Sequence, residues 1–339
     1  MPTFCRHNRF IERCPICRET LPGNEPATGA AGRAGTRTAG SRTGSAKRSA
    51  RGPRSDGLRV RREGRAVEDG YASPLVPGLR ASADAERLAA EIAFSGARLA
   101  ALAVAPPGAY EQAVDAAAAG ETGSAAWTAF LLAYLTPSED DEPFAGVGAV
   151  LAAAPSPEAT MPGGELGELL DAVARGPRSS HEAGSGTRTL GAYAQWAERS
   201  GGQAAAFTGN DGWTPERRFA RLFERLSLPG FGRAARYELL VSLGRLGIFE
   251  LRADSLHLGA GRAGGTGEDT AALAAKRVFG IGDPLLLDRR AAALAEAAGV
   301  PLEALDLALF NWSSPERATL GFKPPGELDT GEPAAALGV

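Results

Sequence analysis

Four side chains near the start of the chain have the types and spacing of metal ligands. Cys5, His7, Cys14 and Cys17 all lie within "FCRHNRFIERCPIC". Zn²⁺ favours four-coordinate sites built from thiolate sulfur and imidazole nitrogen, and a C-x-x-C knuckle supplies two thiolates from one turn. Pro15 suits such a turn, while the C-x-H pair is tighter than the usual ligand spacing. The expected unit is a structural Zn²⁺ site of type Cys3His. A closed set of four ligands keeps no open position, so no metal catalysis is expected from it. Two other readings stay open: incidental cysteines on a flexible terminus, or a redox C-x-x-C, which lacks its strand-to-helix setting here. Arg6, Arg9, Arg13 and Arg18 interleave the ligands. They would suit a nucleic-acid backbone or simply a solvated surface. The chain has only three cysteines, all in this cluster. That argues against a disulfide framework and fits a reducing compartment.

A second candidate lies in "RLFERLSLPGFGRAARYELLVSL", residues 221–243. Pro229 must stop one helix, and the glycines permit a tight reversal before the next helix starts. Gly230 and Gly232 would leave backbone N–H groups at a helix N-terminus open to an anion, with no Cβ in the way. Phe231 would plug the hairpin into the core. The pattern resembles the helix–hairpin–helix motif of DNA-binding proteins; an ordinary αα-hairpin is the plain alternative. Arg233 and Arg236 follow as phosphate contacts. Helix–hairpin–helix DNA glycosylases carry a catalytic Asp roughly two dozen residues beyond the hairpin, and Asp254 in "FELRADSLHLG" stands at that distance. A buried carboxylate there could take a proton or stabilise a developing cation; a helix N-cap is the ordinary fate of such an Asp. His257 falls one residue late for the Asp-His pair of many glycosylases. Ala234 occupies the region where bifunctional members place a lysine, so Schiff-base lyase chemistry is not expected. A second Gly-x-Gly turn, Gly280 to Gly282 in "AKRVFGIGDPLLLDRR", sits beside Lys276 and Arg277. Trp213 ahead of the first hairpin is either a core anchor or a stacking platform.

The elements that must position these residues are helices. Apolar periodicity marks helices at 82–105, 109–119, 123–135, 164–175 and 189–199. Others are marked at 214–227, 232–246, 268–278, 284–298 and 301–312, each punctuated by Gly or Pro. Ser82 is the expected N-cap of the first. The one strand-like stretch is "GIFEL" at 247–251. An all-α body is therefore expected. Residues 1–22 form the zinc module. Residues 23–70 are expected to be a disordered basic linker, because Gly, Ala, Ser, Thr and Arg cannot bury enough apolar surface. Arg33, Arg42, Lys47, Arg51, Arg54 and Arg59 stand there against few acids. Such an arm could condense on DNA or serve as a solubilising tether. Residues 71–323 form the body, and 324–339 are expected to fray. The net charge of the whole chain is −3 and names no partner. No run is expected to span a membrane, and the first residues lack the core of a signal peptide. A cytoplasmic setting follows as the expectation.

Together, "LPGFGRAARYELLVSLGRLG", "AKRVFGIGDPLLLDRRAAALA" and "LDLALFNW" resemble the alpha-glutamyl/putrescinyl thymine pyrophosphorylase family, clade 3, itself related to helix–hairpin–helix DNA glycosylases. The resemblance covers roughly residues 71–323, with its specific part in 213–312. It implies a multi-helix, glycosylase-like body that modifies bases in DNA. An amine, glutamate or putrescine, would displace pyrophosphate from a modified thymine. Arg233, Arg236, Lys276 and Arg277 would face the leaving pyrophosphate, and Asp254, with Glu238, would deprotonate the amine. DNA is the implied partner, and no protein partner is expected. Two alternatives remain: a monofunctional DNA glycosylase, and a non-enzymatic zinc-containing DNA-binding protein.

Overall fold

The computed structural model describes residues 66–159, 164–260 and 269–339. The Cys5, His7, Cys14 and Cys17 set and the basic stretch up to Arg65 lie outside them. Among the described residues every regular element is helical. In chain order the helices are α1 Ser82–Val104, α2 Ala109–Ala118, α3 Thr122–Leu135, α4 Ala145–Ala153, α5 Gly164–Ala172, α6 Gly186–Arg199 and α7 Gln203–Thr208. Then follow α8 Pro215–Arg225, α9 Arg233–Arg245, α10 Thr270–Phe279, α11 Pro284–Ala297, α12 Ala304–Ser313 and α13 Gly331–Leu337. The stretch "GIFEL" forms no strand. Its Ile248 and Phe249 N–H groups both bond back to Leu243 O, at 3.1 and 3.3 Å, and close the end of α9.

Helix α3 is buried all round from Ala125 to Leu135, as its lack of charged side chains allows, and its few polar groups are hydrogen-bonded. It packs against α2, α4, α7 and α9. Its aromatic rings build the centre of the core: Phe130 stacks on Tyr193 of α6 with ring centres 3.9 Å apart, and the Trp127 indole N–H donates to Ala154 O at 2.8 Å. Helix α1 packs against α12, α13 and α9. By length and composition alone, the stretch Ser82–Ala118 is apolar enough to cross a membrane, contrary to the sequence expectation. In the fold it breaks at Pro106 and Pro107 and buries its apolar face against α12 and α13. Arg98, near its middle, is 1% exposed and hydrogen-bonded.

Three expectations need correction. Ser82 is the first residue of α1 and not its cap. The orphan N–H of Ser82 is taken by the Asp69 carboxylate, at 3.0 and 3.2 Å, and Asp69 also accepts from Tyr71 N. The folded body therefore reaches back into the segment expected to be linker. At the other end the tail does not fray throughout: α13 forms there, buries Leu337 and packs on α1. The Tyr71 hydroxyl donates to Leu337 O at 2.5 Å, so the two ends of the body brace each other.

Candidate functional site

The hairpin forms where Pro229 and the two glycines place it. Thr214 caps α8, accepting from Arg217 N at 3.3 Å, and Pro215 fills the first turn. After α8 the backbone turns through Gly230 at φ +72°, a left-handed angle that favours glycine. A Cβ on Gly230 would also sit 2.3 Å from Thr189 Oγ1. Phe231 is fully buried and packs on Phe130 and Tyr134 of α3, the plug its position suggests. Gly232 is the N-cap of α9, and its N–H donates to Ser180 Oγ at 3.2 Å. The turn is thus seated on α6 and on the loop 176–185.

That loop is itself clamped. His181 has a fully buried side chain, bonded through Nδ1 to the Tyr134 hydroxyl at 2.9 Å and through Nε2 to Asp171 at 2.8 Å. Ser179 and Ser180 both bond to Tyr134 O. The loop delivers Arg178 to a buried network of charges that the sequence does not announce. Arg98 of α1 meets Glu238 of α9 at 3.2 Å, and Arg178 meets the same carboxylate at 3.7 Å. Arg178 also pairs with Asp306 of α12. Arg233 joins Asp306 at 2.5 Å and Asp269 at 2.9 Å, and donates to Leu256 O at 2.8 Å. Three guanidinium groups and three carboxylates balance. Burial alone would raise the carboxyl of Asp269, yet the adjacent Arg233 holds it below its ordinary value. Burial opposes the charge of Arg233, and Asp306 and Asp269 more than restore it.

The site residues expected from the sequence therefore divide. Arg233 and Arg236 are buried, at 3% and 2% exposure, and do not offer their charge at the surface. Both point inward because the first turn of α9 sits under the loop 176–185 and against α8. Glu238 is locked between Arg98 and Arg178, and also accepts from Ser242 Oγ at 3.2 Å. Asp254 is exposed on the connection after α9, and not in the buried position expected of it. It caps no helix either; the carboxylate that caps the next helix is Asp269, accepting from Ala272 N at 2.9 Å. Lys276 is exposed on α10, while Arg277 is half-buried with its guanidinium over the Trp312 ring. Gly280 ends α10 at φ +64°, close against Gly78, whereas Gly282 faces open space. Trp213 is half-buried, leaning on Gly209 with Arg225 over its ring. Asp283 and Pro284 start α11 as cap and first residue.

Two surface clefts flank this assembly. One, of about 470 Å³, lies between the hairpin and the start of α6, lined by Arg188, Thr189, Leu228, Pro229 and Gly230. The other, of about 570 Å³, is lined by Pro177, Thr270, Lys276 and Phe310. Those residues adjoin Arg178 and Asp269, so the second cleft opens beside the charge network; Arg178 itself lies over the Phe310 ring. Among the described residues no cluster of His, Cys, Asp and Glu could hold a metal ion.

Residues 177–322 match the family model described as alpha-glutamyl/putrescinyl thymine pyrophosphorylase clade 3. The match spans somewhat less than half of the chain. It begins beside Arg178 and encloses the hairpin, Glu238, Asp269 and Asp306; Arg98 and the first helices lie outside it. No curated protein and no solved structure matches the chain.

Proposed function

We propose that the helical body is a DNA base-modifying transferase of the kind its matched family is named for. The observation that carries this reading is the coincidence of the matched segment with the hairpin, the charge network and the cleft beside it. An amine nitrogen attacks the methylene carbon that bears pyrophosphate on a modified thymine. The C–N bond forms, the C–O bond breaks, pyrophosphate leaves, and the amine proton passes to a base. Lys276, exposed on the wall of the cleft, suits the departing pyrophosphate. Asp254 is the carboxylate free to take the proton, and Glu238, held by two arginines, positions Arg98 and Arg178. The exposed face of the hairpin at Pro229, with Arg188 nearby, is the part suited to a DNA backbone. The Cys3His set is proposed as a structural Zn²⁺ site, and metal analysis of the full chain tests it.

The functional test supplies duplex DNA carrying pyrophosphorylated hydroxymethyluracil, with glutamate or putrescine. Digestion to nucleosides and mass spectrometry should reveal the amine adduct, with matching pyrophosphate release, and neither with Asp254→Asn. Free base and abasic sites would replace this reading with a glycosylase. Bound but unaltered DNA would leave only a binding protein.

A further inference from the structure

Beside the balanced network stands a cation, Arg236, with no carboxylate in ion-pair contact, although the charge of Asp269 reaches it. Arg236 is 2% exposed; its Nη1 donates to Phe223 O at 3.1 Å, while Nε and Nη2 have no partner. Neighbouring groups share this condition. The Tyr237 hydroxyl, His257 Nε2 and Asp288 Oδ1 are likewise buried and unpartnered. Buried polar atoms are nearly always paired, because an unmet one keeps its full desolvation cost.

Arg236, Tyr237 and His257 converge on two rings of α8. The guanidinium of Arg236 lies 4.4 Å over Phe223, and the His257 ring stacks on that same ring at 4.1 Å. Tyr237 meets Phe219 edge-on at 5.5 Å, and His257 lies parallel to it at 6.0 Å. His257 is held at φ +53°, a left-handed angle rare for a side chain with a Cβ. Strained backbone of this kind persists where the surrounding structure imposes it, often at binding sites. Two separate stretches of chain, the start of α9 and the loop at His257, thus bring unmet hydrogen-bonding groups to one apolar floor.

We propose that Arg236, Tyr237 and His257 form a binding site for a small oxyanion. A guanidinium with two free N–H groups matches the paired oxygens of a carboxylate or phosphate. The phenol and the imidazole can each donate a further hydrogen bond. Asp288, whose charge reaches His257 and Tyr237, opposes an anion there, whereas it is not among the charges that act on Arg236. Burial, with the charge of Arg233 adding and that of Asp269 opposing, pulls Arg236 down to about 10, which leaves it cationic at neutral pH. The site stands on these contacts alone and does not depend on the proposed transferase activity.

The test follows the thermal stability of the full chain in inorganic phosphate, pyrophosphate and glutamate. Putrescine serves as the cationic control, all at matched ionic strength. A ligand that binds the native state raises Tm with its concentration. Wild type should respond to at least one anion and not to putrescine, and Arg236→Met should need roughly tenfold more anion or show no response. A response to phosphates alone identifies a phosphate site; a response to glutamate alone identifies a carboxylate site. Without ligand, Arg236→Met should be at least as stable as wild type, since it removes an unpaired buried charge. No response in wild type, or an equal response in the variant, overturns the proposal. Should Arg236→Met not fold, a wild-type crystal grown with selenate decides: its anomalous signal must lie within hydrogen-bonding distance of Arg236 Nε or Nη2.

Discussion

Asp306 is the residue on which the buried network turns. It is 1% exposed and holds one guanidinium on each carboxylate oxygen, Arg178 on one side and Arg233 on the other. A buried ion pair adds little net stability over an apolar pair of the same shape, but removing one partner strands the other. Asp306→Asn would leave three cations, Arg98, Arg178 and Arg233, sharing Glu238 and Asp269. It should cost about 3–5 kcal/mol in urea unfolding, and a loss below about 1 kcal/mol would show that the network relaxes around the gap. His257 offers a pH signature. Burial holds its imidazole below the ordinary value of 6.5, against the opposing pull of Asp288 and Asp254 and with Arg233 and Arg236 adding to the effect. The unfolded chain then takes up a proton before the native one does. Stability is therefore complete above pH 6.5 and falls as pH drops below it, toward the native value. His257→Asn, which tolerates the left-handed backbone, should flatten that part of the stability profile; an unchanged slope would assign it to other groups.

Among the elements, the two Gly-x-Gly turns look alike in sequence and differ in what they require. Gly230 has both a left-handed angle and Thr189 against it, while Gly282 has neither. Gly230→Ala should cost about 1–3 kcal/mol from backbone strain alone, plus the clash. Thr189→Ala should relieve the clash and leave the strain, so the pair should be non-additive in denaturant titrations. Gly282→Ala should change little. If Gly230→Ala matched Gly282→Ala, the hairpin would be looser than its contacts indicate. The helices flanking these turns were legible because 3.6-residue apolar periodicity survives any partner, and because Pro215, Pro229 and Pro284 mark boundaries. Helix α4 escaped because AGVGAVLAA is apolar on every face and shows no period, and α7 because it has too few turns. So did α13, where Leu337 finds its burial only on α1. The network escaped for a different reason. Arg98, Arg178 and Asp306 lie far apart in sequence, and each alone reads as a solvated charge. Asp269 could have been found as the cap before an Ala-rich helix, but distance from the hairpin pointed to Asp254 instead.

At the scale of the whole molecule, charge is divided unevenly. The chain carries −3 overall, yet Arg51, Arg54, Arg59 and Arg61 belong to a stretch with few acids, so the remainder is acidic. In the body, arginines 98, 178, 233 and 236 are spent inside, which lowers further the cation density it can show a phosphate backbone. If the proposed DNA binding holds, non-specific affinity should come chiefly from this basic stretch, with the hairpin and Arg188 setting register. Each phosphate neutralised contributes about 0.9 to the slope of log K against log salt. Replacing those four arginines of the arm with Gln should lower the slope by up to about 3.6 and weaken binding most at low salt. Arg188→Gln should lower it by about 0.9 at most. Fluorescence anisotropy on a short duplex, titrated across salt, measures both. An unchanged slope in the arm variant would make that stretch a tether, and the acidic body would then have to hold DNA through the hairpin face alone.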